Sequence, residues 1–299
     1  MVVAIKTVRL RPSLFLLLIA LFSMSVAGCG GDGSEQSATS APIFEDPGPI
    51  HVHGLDVNTK DGALFAATHS GLFRAGSGER SSVRVAGRYQ DTMGFAVVGP
   101  DHFLGSGHPD GREDLPPFLG LIESRDAGET WTPVSLLGKR DFHILEAAGT
   151  RIYGFGTDWE TRLEGLLVSD DGGRSWSGRP PPEPLISLAI DPDNSDRILA
   201  AGTKRLYMSV DAARSWRTVE GPPALLSWPR SGSLFAVSAA GTILRTPDPA
   251  ANWRRVGTVA GEPAAFEAQT GSELHVALHD GTIKRSTDGG ATWVVRAHP

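Results

Sequence analysis

SRDAGETW at 124–131, SDDGGRSW at 169–176, SVDAARSW at 209–216, TPDPAANW at 246–253 and STDGGATW at 286–293 are five versions of one phrase. Their starts lie 45, 40, 37 and 40 residues apart. A period of about 40 residues, with several short apolar runs in each unit, marks a β-propeller or a related array. Working back from the last phrase, AAFEA, ELHVALH, TIKRS and TWVVRA are four short β-rich segments separated by TGS, DG and the phrase itself. Turn residues at the breaks and alternating apolar residues within the runs read as a four-stranded antiparallel meander. PLISLAI, RILAAG, RLYMSV and SWRTV repeat the pattern, as do ALLSW, SLFAVSA, TILRT and WRRVGTV. Upstream, DFHILEAA and DTMGFAVV each open a unit. HVHGLDV, ALFAATH, GLFRAG and SSVRVAG make a first one whose phrase has decayed to AGSGERS. The expected fold is therefore all-β: a six-bladed propeller over residues 50–299 with four strands per blade. Whether PIFED at 42–46 adds a strand to the last blade is open at this point.

Within each phrase a Ser or Thr and an Asp can turn side-chain oxygens onto backbone N–H groups, and Gly accepts the backbone of a tight turn. The closing Trp starts the outer strand and offers a large apolar plate to the neighbouring sheet. Trp131, Trp176, Trp216, Trp253 and Trp293 stand there, five of the seven tryptophans. The phrase resembles the Asp-box, or BNR repeat, of sialidases and their many non-sialidase relatives. That resemblance implies boxes with a structural role, placed on the face opposite the one that carries function.

The chain opens with Lys6, Arg9 and Arg11, an apolar run from Leu14 to Val26, and then Val26-Ala27-Gly28-Cys29. A basic stretch, about a dozen apolar residues and small residues before a cut describe an export signal over 1–28, too short for a membrane span. The last four residues resemble the bacterial lipobox, which implies lipidation at Cys29, the single cysteine. Each buried lipid CH₂ contributes about 0.8 kcal/mol, so two or three acyl chains hold a protein at a membrane. The expected location is the outer face of the cytoplasmic membrane. Residues 29–49, which include GGDGSEQSATSAP, are polar and small and read as a flexible tether. Loss of 1–28 leaves 25 cationic residues against 34 anionic ones, a net charge of −9 in place of −6. An acidic body without a basic stripe excludes nucleic acid as the expected partner.

Loops that lead into the innermost strands and loops between second and third strands gather on one rim of a propeller. In this chain that rim receives His51, His53, His69, Asp91, Met93, His108, His143, Asp158 and Trp159. Five of the nine histidines fall there, all from blades one to three, whereas blades four to six place Leu, Pro, Ala and Ser at the matching positions. His51 and His53 are two apart on an expected strand and so point the same way, about 6.5–7 Å apart. With His143 they form a candidate metal set, and Met93 lies between. Histidines with a methionine would suit copper, and histidines with a carboxylate would suit zinc. An organic-ligand pocket and histidines that only hydrogen-bond backbone at a crowded channel mouth are the competing readings.

HVHGL, ATHSGLF, QDTMGF, GPDHFLGSGHPD and LGLIES resemble a family of bacterial lipoproteins named sialidase-like or glycosyl-hydrolase-like, from about residue 50 to the end. The resemblance implies a glycoside hydrolase of the sialidase class as an alternative to a binding role. Sialidases hold the substrate carboxylate with three arginines and use a Tyr nucleophile activated by Glu. Here only Tyr89, Tyr153 and Tyr207 are present, the last two inside alternating strands, and HVHGLDV replaces the arginine-bearing first strand. Arg88, Arg112, Arg140 and Arg162 reach the rim. Paired carboxylates for another glycosidase chemistry would come from Asp91, Asp110, Glu113, Asp141, Asp158 or Glu160. Other Asp-box propellers bind peptides or assist assembly of membrane complexes. A small-molecule, glycan or peptide ligand is thus the expected partner beyond the membrane, with SGHPDGREDLPPF at 106–118 as a binding loop.

Overall fold

The computed structural model describes residues 46–230 and 232–298. The expected signal segment 1–28, Cys29, and the tether and PIFED up to Glu45 lie outside the described residues. Six four-stranded antiparallel sheets follow one another along the chain, each with its strands in sequence order. Blade one holds β1 (Val52–Val57), β2 (Leu64–Thr68), β3 (Gly71–Ala75) and β4 (Val83–Arg84). Blade two holds β5 (Asp91–Gly99), β6 (His102–His108), β7 (Leu121–Ser124) and β8 (Thr132–Ser135). Blade three holds β9 (Arg140–Ala148), β10 (Arg151–Asp158), β11 (Glu164–Ser169) and β12 (Ser177–Arg179). β13 (Leu185–Asp191), β14 (Asn194–Gly202), β15 (Leu206–Ser209) and β16 (Arg217–Val219) make blade four. β17 (Leu225–Ser227), β18 (Leu234–Val237), β19 (Thr242–Thr246) and β20 (Arg254–Thr258) make blade five. Blade six is β21 (Pro263–Ala268), β22 (Leu274–Leu278), β23 (Ile283–Ser286) and β24 (Val294–Ala297). The innermost strands β1, β5, β9, β13, β17 and β21 neighbour one another in turn, and β21 returns to β1. The ring is a six-bladed β-propeller. Among the described residues no helix is long and apolar enough to cross a membrane.

The apolar residues are divided among six buried clusters, one at each blade boundary. Trp131, Trp176, Trp216, Trp253 and Trp293 pack into five of them, each plate lying between its own blade and the preceding one. The turns that deliver these plates are built alike. In SDDGGRSW the Ser169 hydroxyl donates to Asp171 Oδ1 at 2.8 Å and accepts the Gly173 N–H at 2.8 Å. Asp171 in turn accepts the Ser175 N–H at 2.9 Å and the Ser175 hydroxyl at 2.6 Å. The same network recurs from Ser124, Ser209 and Ser286. In TPDPAANW it is rebuilt: Asp248 accepts the Ala250 N–H at 2.7 Å and pairs with Arg197 at 2.5 Å.

The boundary between blades six and one has no tryptophan in its cluster, because the phrase of blade one has decayed. Arg296, on β24, fills the role with hydrogen bonds to the carbonyls of Ala75, Gly76 and Glu79, the remnants of that turn. A parallel bridge between Ser81 and His298 adds to the seam. The decay also shortens blade one's outer strand. SSVRVAG supplies only Val83–Arg84 before a single 3₁₀ turn over Val85–Gly87.

Candidate functional site

Five of the six inner strands carry a β-bulge close to their start. In β1 the register skips from Val52–Thr68 to Gly54–Ala67, which leaves His53 unpaired as the extra residue. Met93 is the extra residue in β5, His143 in β9, Ile186 in β13 and Ala264 in β21. A bulge turns one side chain out of the alternating pattern. All five of these residues line the mouth of the central channel. His53, Met93 and His143 are therefore equivalent positions in three successive blades, brought together by the ring.

Two glycines make room for this arrangement. Gly107, opposite the bulge of β5, has φ +137°, and a Cβ there would lie 2.0 Å from the Asp91 carbonyl oxygen. At Gly156, opposite the bulge of β9, a Cβ would lie 1.9 Å from the Asp141 carbonyl oxygen. The backbones of Asp91 and Asp141 are thus pressed against the second strands of their blades, and their carboxylates reach the rim.

Each carboxylate meets two imidazoles. His69 Nδ1 lies 2.9 Å from Asp91 Oδ2, and His53 Nε2 lies 3.6 Å from Asp91 Oδ1. His143 Nε2 lies 2.9 Å and His108 Nε2 3.4 Å from Asp141 Oδ2. Donor atoms of His53, His69 and Asp91 all lie within 4.8 Å of one another. His53 Nε2, Asp91 Oδ1 and Asp141 Oδ1 are enclosed and have no hydrogen-bond partner. Burial alone would push the Asp91 carboxyl up, but the imidazoles of His53, His69 and His108 hold it below the usual carboxylate range. The Asp141 carboxylate beside His143 raises that imidazole's pKa in turn.

The trio His51, His53 and His143 does not form the donor set. His51 precedes β1 with φ +51°, is exposed, and stands edge-on to the His69 ring at 6.2 Å. The two-residue repeat expected to align it with His53 requires unbroken strand, and the bulge at His53 breaks it. Met93 lines the same channel mouth as His53 and His143. Asp158 is engaged within its own blade: its Oδ2 pairs with Arg140 at 3.1 Å and its Oδ1 accepts the N–H groups of Glu160 and Thr161. Trp159 pins its own loop. Its ring stands edge-on to Phe118 at 5.2 Å, with the Arg162 guanidinium 3.8 Å from its centroid. Phe118 in turn lies 5.5 Å from the His108 ring and steadies it.

The rim arginines have partners within the chain. Arg88 pairs with Glu113, Arg112 with Asp110 and Arg140 with Asp158, and Arg162 covers Trp159. Tyr153 is fully buried and donates its hydroxyl to the Ser195 carbonyl at 2.6 Å. Tyr89 is flanked by Arg84 and Arg112. Neither an arginine clamp nor a Tyr–Glu nucleophile pair is assembled from these residues.

Deeper in the channel, Asp56, Glu146 and Glu267 converge at a waist between the two halves of the cavity. Desolvation raises all three: Asp56 to about 7, Glu146 to about 8 with help from the Asp56 charge, and Glu267 well above its ordinary value. Ser227 donates to Glu267 Oε2 at 3.1 Å. Sequence reasoning passed over this triad. Its signal was a single charged residue three positions beyond the bulge in the apolar runs HVHGLDV, DFHILEAA and PAAFEA.

No protein-family model matches the chain, and no curated protein matches it. Solved structures do. A gluconolactonase from Xanthomonas campestris aligns with TM-score 0.60 at 16% identity, over 77% of this chain and 84% of that one. A nidogen/laminin complex contributes a match with TM-score 0.59 at 13% identity, over 79% of this chain and 93% of that one. YCF48 bound to a D1 peptide aligns with TM-score 0.51 at 13% identity, over 83% of each chain. At these identities the likeness is one of fold: the chain shares the propeller frame, and its rim chemistry has to be read from its own side chains.

Proposed function

We propose that this chain is an exported, lipid-anchored propeller whose rim binds a divalent transition-metal ion through His53, His69 and Asp91. The observation that carries the reading is the convergence of two imidazoles and one carboxylate within 4.8 Å, with an enclosed nitrogen and an enclosed oxygen left without partners. Buried polar atoms are nearly always satisfied, so enclosed donor atoms that find no protein partner in one cluster favour a role as ligands to a cation. Two histidines and a carboxylate suit zinc or copper(II), and Met93 at the channel mouth would favour copper. Solved propellers that hold a peptide or a protein partner make a binding role familiar for this frame, but the metal reading rests on the side chains alone.

The test is direct. The purified chain, stripped with a chelator, is titrated with Zn²⁺ and with Cu²⁺ against a chromophoric competitor. Binding that weakens sharply in Asp91→Asn supports the proposal. Absence of binding, or binding indifferent to changes at His53, His69 and Asp91, overturns it. Anchoring is supported by the Val26-Ala27-Gly28-Cys29 segment. It is tested by mass spectrometry of the mature N-terminus and by release of a Cys29→Ser variant into the soluble fraction.

A further inference from the structure

We infer that Arg84 is a positioning residue for the rim site, one that holds the His69 turn against the segment leading to Asp91. This rests on the metal reading of that site but concerns a residue outside the ligand set. Arg84 ends the outer strand β4 of blade one, yet its side chain is only 6% exposed. A guanidinium kept from water needs partners for its charge and for its N–H groups. Its Nε donates to the Ser70 carbonyl at 2.8 Å, and its two terminal nitrogens pair with the Asp46 carboxylate. Its Cζ also stands 4.7 Å from the centre of the Phe73 ring and 3.9 Å from that of Tyr89.

These contacts join the two segments that carry ligands. Ser70 follows His69 directly, and Tyr89 stands two residues before Asp91. The two segments meet without slack. A Cβ on Gly71 would lie 2.5 Å from the Arg88 carbonyl oxygen and 3.1 Å from Arg84 Nε. The β2–β3 turn is thus pressed against the chain that leads into β5, with Arg84 at the joint.

His69 has an exposed ring, so its backbone has to fix its direction. That backbone is fastened throughout the turn. The His69 N–H donates to the His51 carbonyl at 3.2 Å, and the Ser70 N–H to Thr68 Oγ1 at 3.1 Å. Thr68 Oγ1 donates to the Gly71 carbonyl at 2.7 Å. The Ser70 hydroxyl donates to the Gly48 carbonyl, and the Gly48 N–H donates to Asp46 Oδ1 at 2.9 Å. Asp46 therefore closes a circuit of contacts that runs from Arg84 through Gly48 to the turn. Arginine suits the joint because its planar fork addresses a carbonyl and a carboxylate at once, with fixed direction. A lysine ammonium on its flexible stem does not.

Zinc affinity of the metal-free whole chain, titrated with Zn²⁺ against a chromophoric competitor, provides the test. Arg84→Lys is expected to bind zinc about 10–100-fold more weakly than wild type, the scale on which outer partners orient metal ligands. A residue that only supports the fold would lower the melting temperature and leave that affinity unchanged. In the His69→Ala background the same change should cost at least about 3-fold less, because the ligand it steadies is gone. Asp46→Ala, at an exposed position, decides the matter if Arg84→Lys fails to fold, with an expected loss of about 2–5-fold. Full zinc affinity in the deciding variant, or equal losses with and without His69, overturns the inference and leaves the His53, His69 and Asp91 site standing. A wild type that binds no zinc overturns both readings.

Discussion

His69 on blade one and Asp91 on blade two meet across the blade boundary, Nδ1 to Oδ2, at 2.9 Å. His69 sits in the β2–β3 turn, so its removal leaves the barrel of inner strands untouched. We expect His69→Ala to weaken zinc affinity by about 10–100-fold with no change in the thermal midpoint of the metal-free chain. Competition with a chromophoric chelator measures the first quantity and calorimetry the second. Unchanged affinity would remove His69 from the ligand set.

Gly107 tests whether the bulge is needed. A methyl at this φ of +137° would collide with the Asp91 carbonyl at 2.0 Å, so Gly107→Ala must shift either β5 or β6. The expected cost is at least about 2 kcal/mol, together with loss of metal binding. Gly178→Ala is the control, since a Cβ there meets nothing within 4 Å. It should stay within about 0.5 kcal/mol of wild type by urea denaturation.

The acidic waist makes stability depend on pH. Asp56, Glu146 and Glu267 have folded-state pKa values raised above those of the unfolded chain. Such groups bind more protons when folded, so their contribution is full below the unfolded values and is lost as pH rises through the folded ones. For Asp56 and Glu146 the window runs from about 4 to about 8. The chain should therefore be more stable near pH 5 than near pH 8. The difference should be a few kcal/mol, because each tenfold change in proton affinity is worth about 1.4 kcal/mol. Glu146→Gln should flatten that slope and raise the melting temperature at pH 8. An unchanged slope would show that the waist is ionised.

The repeated turns should be of unequal weight. Asp171 holds a backbone N–H and two hydroxyls, so Asp171→Ala is expected to lose about 1–3 kcal/mol. Thr246→Ala, in the rebuilt turn, removes a hydroxyl that donates to the Asp248 carbonyl at 2.7 Å and accepts the Asp248 N–H only at 3.3 Å. It should lose less, about 0.5–1.5 kcal/mol. Equal losses by chemical denaturation would contradict this ranking.

Ring closure offers a last test. Arg296 is the link between blade six and three carbonyls of blade one. Arg296→Ala should cost about 2–3 kcal/mol and speed proteolysis near residues 76–80, because hydrogen bonds to a charged group are the stronger kind. Arg296→Lys, which cannot span several acceptors at once, should restore little of it.

Much of this molecule could be read along the chain. The five phrases determined the period and order of five blades, because each must place a tryptophan between sheets and close a turn with local hydrogen bonds, and the strand runs HVHGLDV to SSVRVAG added the sixth. The histidine-rich rim of blades one to three followed from strand parity and from which turns share an end. The ligand grouping did not. His51 was expected beside His53, but a bulge cancels the two-residue alternation at that point, and a bulge depends on pairing with Thr68 and Ala67. The carboxylate that stands 3.6 Å from His53 Nε2 belongs to Asp91, one blade away. Asp56, Glu146 and Glu267 were likewise invisible as a group, since they meet only when β21 returns to β1. Local hydrogen bonding and apolar periodicity act between near neighbours and so are written in the sequence. Convergence of side chains on a channel axis is set by closure of the ring, and only the tertiary structure decided it.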